Sequence, residues 1–126
     1  MASLGKVIAF IGDQLRNNVT EQAFYEQNQS DKVVYPYMTY TVDTEWAEHA
    51  RDVGTVDIDI FDNSTSYAKI IALEEKINSL YRLASIAEDG FILRIDYERS
   101  MAIPTADPAI RRRTVQMNIK IDWSKV

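Results

Sequence analysis

The sequence predicts an α+β fold of the two-layer sandwich type, in which two helices cover one face of a four-stranded, mainly antiparallel sheet. Four segments alternate apolar and polar residues, and the clearest of them runs from Arg113 to Trp123. A period of two is typical of a half-buried antiparallel strand. Two further segments repeat apolar residues every three or four positions, as amphipathic helices do. The predicted order along the chain is α-β-β-α-β-β.

The two predicted helices each carry a single apolar stripe. The first begins after Ser3, a residue that can cap a helix, and ends near Asn17 or Asn18. The second runs from about 65 to 86, behind a cluster of capping residues at 62–66. Both stripes are expected to lie on the same face of the sheet, which completes the two-layer core.

The first two predicted strands are close enough in sequence to form a hairpin. The first strand covers 33–42 and contains Pro36, which cannot donate a ladder hydrogen bond and so belongs near the strand start or on a sheet edge. A loop at 44–49 and a turn at Gly54 are predicted to follow. The second strand then alternates cleanly over 55–60.

The last two predicted strands are joined by a long connection. Asp89 and Gly90 stop the second helix, and the third strand covers 91–98. The segment 100–109 contains two prolines and several small residues, which favour a long, mobile hairpin loop. The fourth strand is the clearly alternating segment that ends at Trp123.

The predicted core collects the apolar members of the two helices and four strands. They are Ile8, Ile11, Leu15, Met38, Tyr40, Val42, Val56, Ile58, Ile60, Ile70, Leu73, Ile77, Leu93, Ile95, Val115, Met117, Ile119 and Ile121. The opposite face of the sheet is polar. Two interpretations of that face are open: an ordinary solvated face, or a surface that lines a water-filled channel or meets a neighbouring subunit.

Length and composition predict a single domain, residues 1–126, with a restricted set of partners. The net charge of −5 and the pI near 4.8 argue against specific nucleic-acid binding, which needs a basic surface. No stretch approaches 18 apolar residues, so no membrane-spanning helix is predicted. The chain has no cysteine and its start carries no secretory pattern, which predicts a soluble protein of a reducing cytoplasm.

No catalytic, cofactor-binding or metal site is predicted. The acidic segment 45–49 contains the only histidine, but its spacing does not match a metal-ligand pattern. Asp57, Asp59 and Asp62 lack the glycine and the oxygen ligands of a calcium loop. Phosphate-binding glycine loops and the Gly-x-Ser-x-Gly motif are also missing. The sequence therefore does not predict an enzyme.

The candidate interface with another subunit or a partner rests on charge. The only dense basic run has its complement in acidic residues of the same chain. The candidate residues are Arg111, Arg112, Arg113, Glu45, Glu48, Asp57, Asp59 and Asp62. Pairing between the basic run of one copy and the acidic residues of the next would be head-to-tail, as in a ring. A solvated strand end and a docking site for an acidic partner are the other interpretations.

Three sequence features together resemble a known family. They are the opening strand Tyr35-Pro36-Tyr37-Met38-Thr39-Tyr40, the second strand Val56–Phe61 with Asp62 and a Ser/Thr-rich helix start behind it, and a final hairpin whose last strand opens with arginines. This layout resembles the small tail-terminator, or tail-completion, proteins of long-tailed bacteriophages and phage-like elements, which join head and tail. The resemblance spans about Val33 to Trp123 and is compatible with the first helix.

The resemblance implies an α+β structural protein of the virion that assembles in the host cytoplasm. Its family members form a hexameric ring that ends tail-tube growth and joins the tail to the capsid connector. The implied partners are further copies of the chain, the tail-tube protein and the head-tail connector protein, with no cofactor and no catalytic residue. The alternatives are a neck or head-completion protein, and a non-viral small-ligand-binding or regulatory α+β module.

Overall fold

Two helices and six strands make up the computed structural model, which describes residues 3–123. The elements in chain order are α1 (Leu4–Asn18), β1 (Ala23–Tyr25), β2 (Tyr37–Glu48), β3 (Arg51–Asp62), α2 (Ala68–Tyr81), β4 (Ala84–Glu88), β5 (Phe91–Ala102) and β6 (Arg111–Trp123). Pro36 lies immediately before β2, as a residue without an amide proton should. Neither helix in this part of the chain is long and apolar enough to cross a membrane.

All strands of the described chain belong to one mixed sheet, in the order β1-β2-β3-β6-β5-β4. Only the β1–β2 pair is parallel, and the other four pairs are antiparallel. The α+β class is therefore confirmed. The four-stranded sheet expected from the sequence is wrong, because the structure has a six-stranded sheet.

The two additional strands have different origins. The predicted second helix ends at Tyr81 rather than near 86, because Arg82 is extended and Leu83 takes a left-handed conformation with φ of 54°. Residues Ala84–Glu88 then turn back as a strand that pairs with β5. The other additional strand, Ala23–Tyr25, has only three residues and pairs with Met38–Tyr40. So short a segment shows no period of two.

The β2–β3 hairpin is longer than its sequence pattern indicates. The predicted loop at 44–49 is strand as far as Glu48, and the chain reverses at His49 and Ala50, where φ of Ala50 is 60°. Gly54 does not form a turn. It lies inside β3 opposite Thr44, and a Cβ atom there would come within 1.9 Å of the Asp43 carbonyl oxygen. The glycine therefore permits close approach of the two strands.

The apolar face of the sheet and the two helix stripes form one core, and each predicted core residue except the half-buried Ile8 is buried. The core also includes Val7, Val19, Ala23, Tyr81 and Phe91. Both helices lie on this face. The Tyr40 hydroxyl donates to the Ile8 carbonyl oxygen of α1 at 3.1 Å, and the Tyr81 hydroxyl of α2 donates to Gln14 Oε1 of α1 at 2.8 Å.

Candidate interface surface

The three consecutive arginines point to different surroundings, because successive residues of a strand face opposite sides of the sheet. All three belong to β6. Arg111 donates from Nη2 to the Thr65 carbonyl oxygen at 3.2 Å, and its guanidinium lies 5.4 Å from the centre of the Tyr67 ring. Arg111 therefore contacts the segment that leads into α2.

Arg112 lies on the face that carries no helix and is held by its own chain. Its Nε and Nη2 atoms donate to Asp59 Oδ1 at 3.1 and 2.9 Å. Its guanidinium also lies 5.4 Å from the centre of the Phe61 ring, which stacks on Tyr37 with ring centres 4.9 Å apart. Asp59 accepts a further hydrogen bond from the Thr114 hydroxyl. Arg112 and Asp59, both candidate interface residues, are thus partners within one molecule.

Arg113 lies on the opposite face, beneath α2. Its Nε atom is 3.1 Å from each carboxylate oxygen of Glu74, and its Nη2 donates to Ser100 Oγ at 3.1 Å. The Glu74 side chain is only 8% exposed. This ion pair joins the helix to the last strand. The sequence does carry a signal for Glu74, since it lies at helical spacing between the buried residues Ile70 and Ile77.

The five acidic candidates lie in three environments: one is buried on the helix side, two are half-buried on the helix-free face, and two are exposed near the tip of the β2–β3 hairpin. In that order they are Asp62, then Asp57 and Asp59, then Glu45 and Glu48. Asp62 is fully buried, and its Oδ1 atom accepts a hydrogen bond from the backbone N–H of Asn63 at 2.9 Å. Glu48 is exposed and pairs with Arg51 at the tip of the β2–β3 hairpin. Glu45 is exposed near the same end of β2. The role of these residues in contacts between copies stays a prediction.

Asp57 is half-buried in β3 on the helix-free face, opposite Gln116 of β6. Burial raises the pKa of the Asp57 carboxyl, and the negative charges of Asp59, Asp43 and Glu98 raise it further, against a hydrogen bond from Gln116. Its Oδ1 atom is buried and has no hydrogen-bond partner among the described residues. An ionised carboxylate is therefore unfavourable at this position.

Replacing Asp57 with asparagine is expected to stabilise the fold at neutral pH. Because folding raises the pKa of Asp57, the native state binds the Asp57 proton more readily than the unfolded chain does. The ionised carboxylate therefore destabilises the fold, and this effect is fully present above the native pKa. The gain in melting temperature from Asp57→Asn should shrink as the pH falls through that value. It should vanish below the ordinary carboxyl pKa of about 3.9.

Thermal melts between pH 3 and 7 measure this difference. The matched control is Asp96→Asn, which removes an exposed carboxylate of β5 that does not act on Asp57 and should change the melting temperature little. A lower melting temperature for Asp57→Asn at pH 7 would show that the carboxylate is stabilised by a contact that its burial does not reveal.

A cavity of about 700 Å³ opens on the helix-free face, beside the end of the sheet that holds Glu45. Its lining side chains come from β2, β3, β6, β5 and β4, so the sheet curves around it. The polar members of the lining are Glu45, Thr55, Ser85, Arg94, Asp96, Asn118 and Lys120. Ser85 was not predicted as a site residue, because the sequence pattern placed it in the second helix. The part of the chain that the structure describes contains no cluster of three or more residues suited to hold a metal ion.

The fold is similar to that of a chain in the solved structure of the virion of a native gene transfer agent (GTA) particle. The two chains align with a TM-score of 0.66, over 86% of this chain and 84% of that chain, at 14% sequence identity. At so low an identity the likeness shows the fold alone. No protein-family model matches the sequence, and no curated protein matches it either.

Proposed function

We propose that this protein is a structural subunit of a phage-like virion. The observation that carries the proposal is the fold likeness to a chain of a gene transfer agent virion, which extends over most of both chains. The sequence resemblance between about Val33 and Trp123 and the phage tail-terminator family supports the same assignment independently. On this proposal the protein is not an enzyme, needs no cofactor and is found in the virion after assembly in the host cytoplasm.

Within the virion, we assign the protein to the end of the tail tube. Several copies, six by analogy with the family, form a ring that stops tube growth and presents a surface to the head-tail connector. The partners are then further copies of the chain, the tail-tube protein and the connector protein. The curved helix-free face supports this role, since its polar side chains suit a wet lumen or a contact between subunits.

Two exposed apolar side chains also support contacts between subunits. Trp46 is 74% exposed near the tip of the β2–β3 hairpin, and Leu83 is 78% exposed in the turn between α2 and β4. Large apolar side chains exposed to this degree are disfavoured in water and are common at protein interfaces. They lie near opposite edges of the sheet, where neighbouring copies in a ring would meet.

Deletion of the gene from its phage or phage-like element is the direct test. Electron microscopy of the lysate is expected to show overlong tails that are not joined to heads, and supplying the protein from a plasmid should restore joined particles. Tails of normal length beside separate heads would instead identify a neck or head-completion protein. Normal particles without the protein would contradict a structural role altogether.

A further inference from the structure

The sheet ends in two segments that no other strand of the described chain covers. On one side, β4 is paired only with β5, so its outer backbone groups have no strand partner among the described residues. On the other side, β1 pairs only with Met38–Tyr40 of β2, so residues 43–48 of β2 form a second open edge. The two open segments have nearly equal lengths.

The two open edges carry only part of the usual protection against strand pairing. Natural proteins protect edge strands with charged side chains, lysine above all, and with proline, bulges or a covering segment. The sequence of β4 is Ala-Ser-Ile-Ala-Glu, without lysine or proline, and it pairs with β5 without a bulge. The stretch 43–48 has a register shift only at its end, between Trp46 and Glu48, and its most exposed large side chain is the apolar Trp46. These edges can therefore accept a further strand.

The two open edges lie at the same height along the strands. Cross-strand pairing connects Glu45 through Val53, Lys120 and Arg94 to Ser85. Neighbouring rows connect Thr44 to Ala84 and Trp46 to Ile86 in the same way. A second copy placed beside the first can therefore match its open stretch of β2 to β4 without a shift along the strands. A contact without such a shift is compatible with a closed ring, whereas a shift along the strands would make it climb as a helix.

The strand directions fit the same arrangement. Four antiparallel pairings separate β2 from β4, so the two strands run in the same direction. In a ring with cyclic symmetry, β4 of one copy would lie parallel to β2 of the next copy. The chain already forms one parallel pair on β2, with β1. The additional strand pair would thus extend an existing pattern.

The geometry points to a specific contact between copies: β4 adds to residues 43–48 of β2 in the next copy and joins the sheets of the ring. This inference rests on the ring-forming role proposed above. The charges at the two edges differ. Three exposed carboxylates, Asp43, Glu45 and Glu48, lie on the β2 edge. On the β4 side, the exposed Arg82 lies in the preceding turn and the exposed Arg94, which pairs with Asp122, lies on the adjacent strand, while β4 itself ends in Glu88.

The apolar side chains match. Trp46 and Ile86 lie on the same face of the sheet, because they belong to the same cross-strand row. Joining the edges therefore brings the exposed Trp46 of one copy against Ile86 of the next copy. This would remove the largest exposed aromatic surface of the β2–β3 hairpin from water.

Cysteine cross-linking tests the contact cleanly, because the chain has no cysteine of its own. Two single variants, Glu45→Cys and Ser85→Cys, are supplied together during particle assembly, and purified particles are treated with a short bismaleimide. Only a contact between two copies can link the two variants. The expected product is a dimer of one Glu45→Cys chain and one Ser85→Cys chain.

The matched control pairs Glu45→Cys with Glu75→Cys, which places the second thiol on the exposed side of α2. This pair should give no dimer. If particles contain the protein but the Glu45–Ser85 dimer is missing, the edge contact is wrong while the structural role stands. A dimer formed by Glu45→Cys alone would indicate a two-fold contact between β2 edges and would also overturn the inference. If purified particles lack the protein, the proposed function itself fails.

Discussion

Replacing Ile119 with aspartate is expected to unfold the domain. Ile119 is 1% exposed in β6, a central strand of the sheet, and it pairs with Gly54 on one side and Ile95 on the other. No cation faces this apolar side of the strand at that row. An unpaired buried carboxylate costs several kcal/mol, against a total stability of about 5 to 15 kcal/mol for a domain. Thermal and urea unfolding followed by circular dichroism measure the loss.

The matched control is Lys120→Asp, which introduces the same side chain one position further along. Lys120 is exposed on the helix-free face, so its replacement should change the free energy of unfolding by only about 0.5 kcal/mol. Equal destabilisation by the two substitutions would mean that the inward and outward faces of β6 have been assigned wrongly. The packing of α2 against this strand would then be wrong as well.

Long, regular patterns in the sequence predicted the corresponding elements well. The alternation over the last strand identified β6, and the apolar stripe of the first helix identified α1. Each of these patterns repeats often enough for its period to be unambiguous. The predicted core residues follow from the same patterns, which is why nearly all of them are buried.

The missed strands show where such patterns stop being informative. A strand of three residues, such as Ala23–Tyr25, is specified by its partner β2 and not by its own sequence. Residues Ala84–Glu88 continue the apolar spacing of α2, and no glycine, proline or asparagine marks the end of that helix. The turn behind the helix contains Leu83 in a left-handed conformation, which a leucine seldom adopts. Pairing with β5 stabilises the strand there.

The separation of the three arginines onto opposite faces of the sheet could have been predicted from the sequence. Three adjacent residues read as one basic patch, but a strand sends Arg112 and Arg113 to opposite faces. The period of two that predicted this strand also predicts that separation. The partners could not be predicted, because Asp59 and Glu74 come from elements whose positions depend on the whole fold. As a consequence, removing all three arginines together would disturb the fold as well as any interface.

Breaking the pair between Arg113 and Glu74 is therefore expected to destabilise the folded chain on its own. In Glu74→Leu, the Arg113 guanidinium stays largely buried, with 23% of its side chain exposed, and loses its carboxylate partner. Removing one member of a buried ion pair costs about 3 kcal/mol or more, because the remaining charge is not compensated. Arg113→Met should have a similar effect, since Glu74 is even less exposed.

The double variant Glu74→Leu with Arg113→Met is expected to recover most of the loss, to within about 1 kcal/mol of the original chain, since neither charge then stays buried. Urea unfolding of the four proteins gives the interaction energy as a double-mutant cycle. The comparison pair is Asp59 and Arg112, whose side chains are 19% and 35% exposed, so that Arg112→Met should cost less than Arg113→Met. Additive losses in the Glu74–Arg113 cycle would show that the two residues contribute through separate contacts, and the link between α2 and β6 would then depend on apolar packing alone.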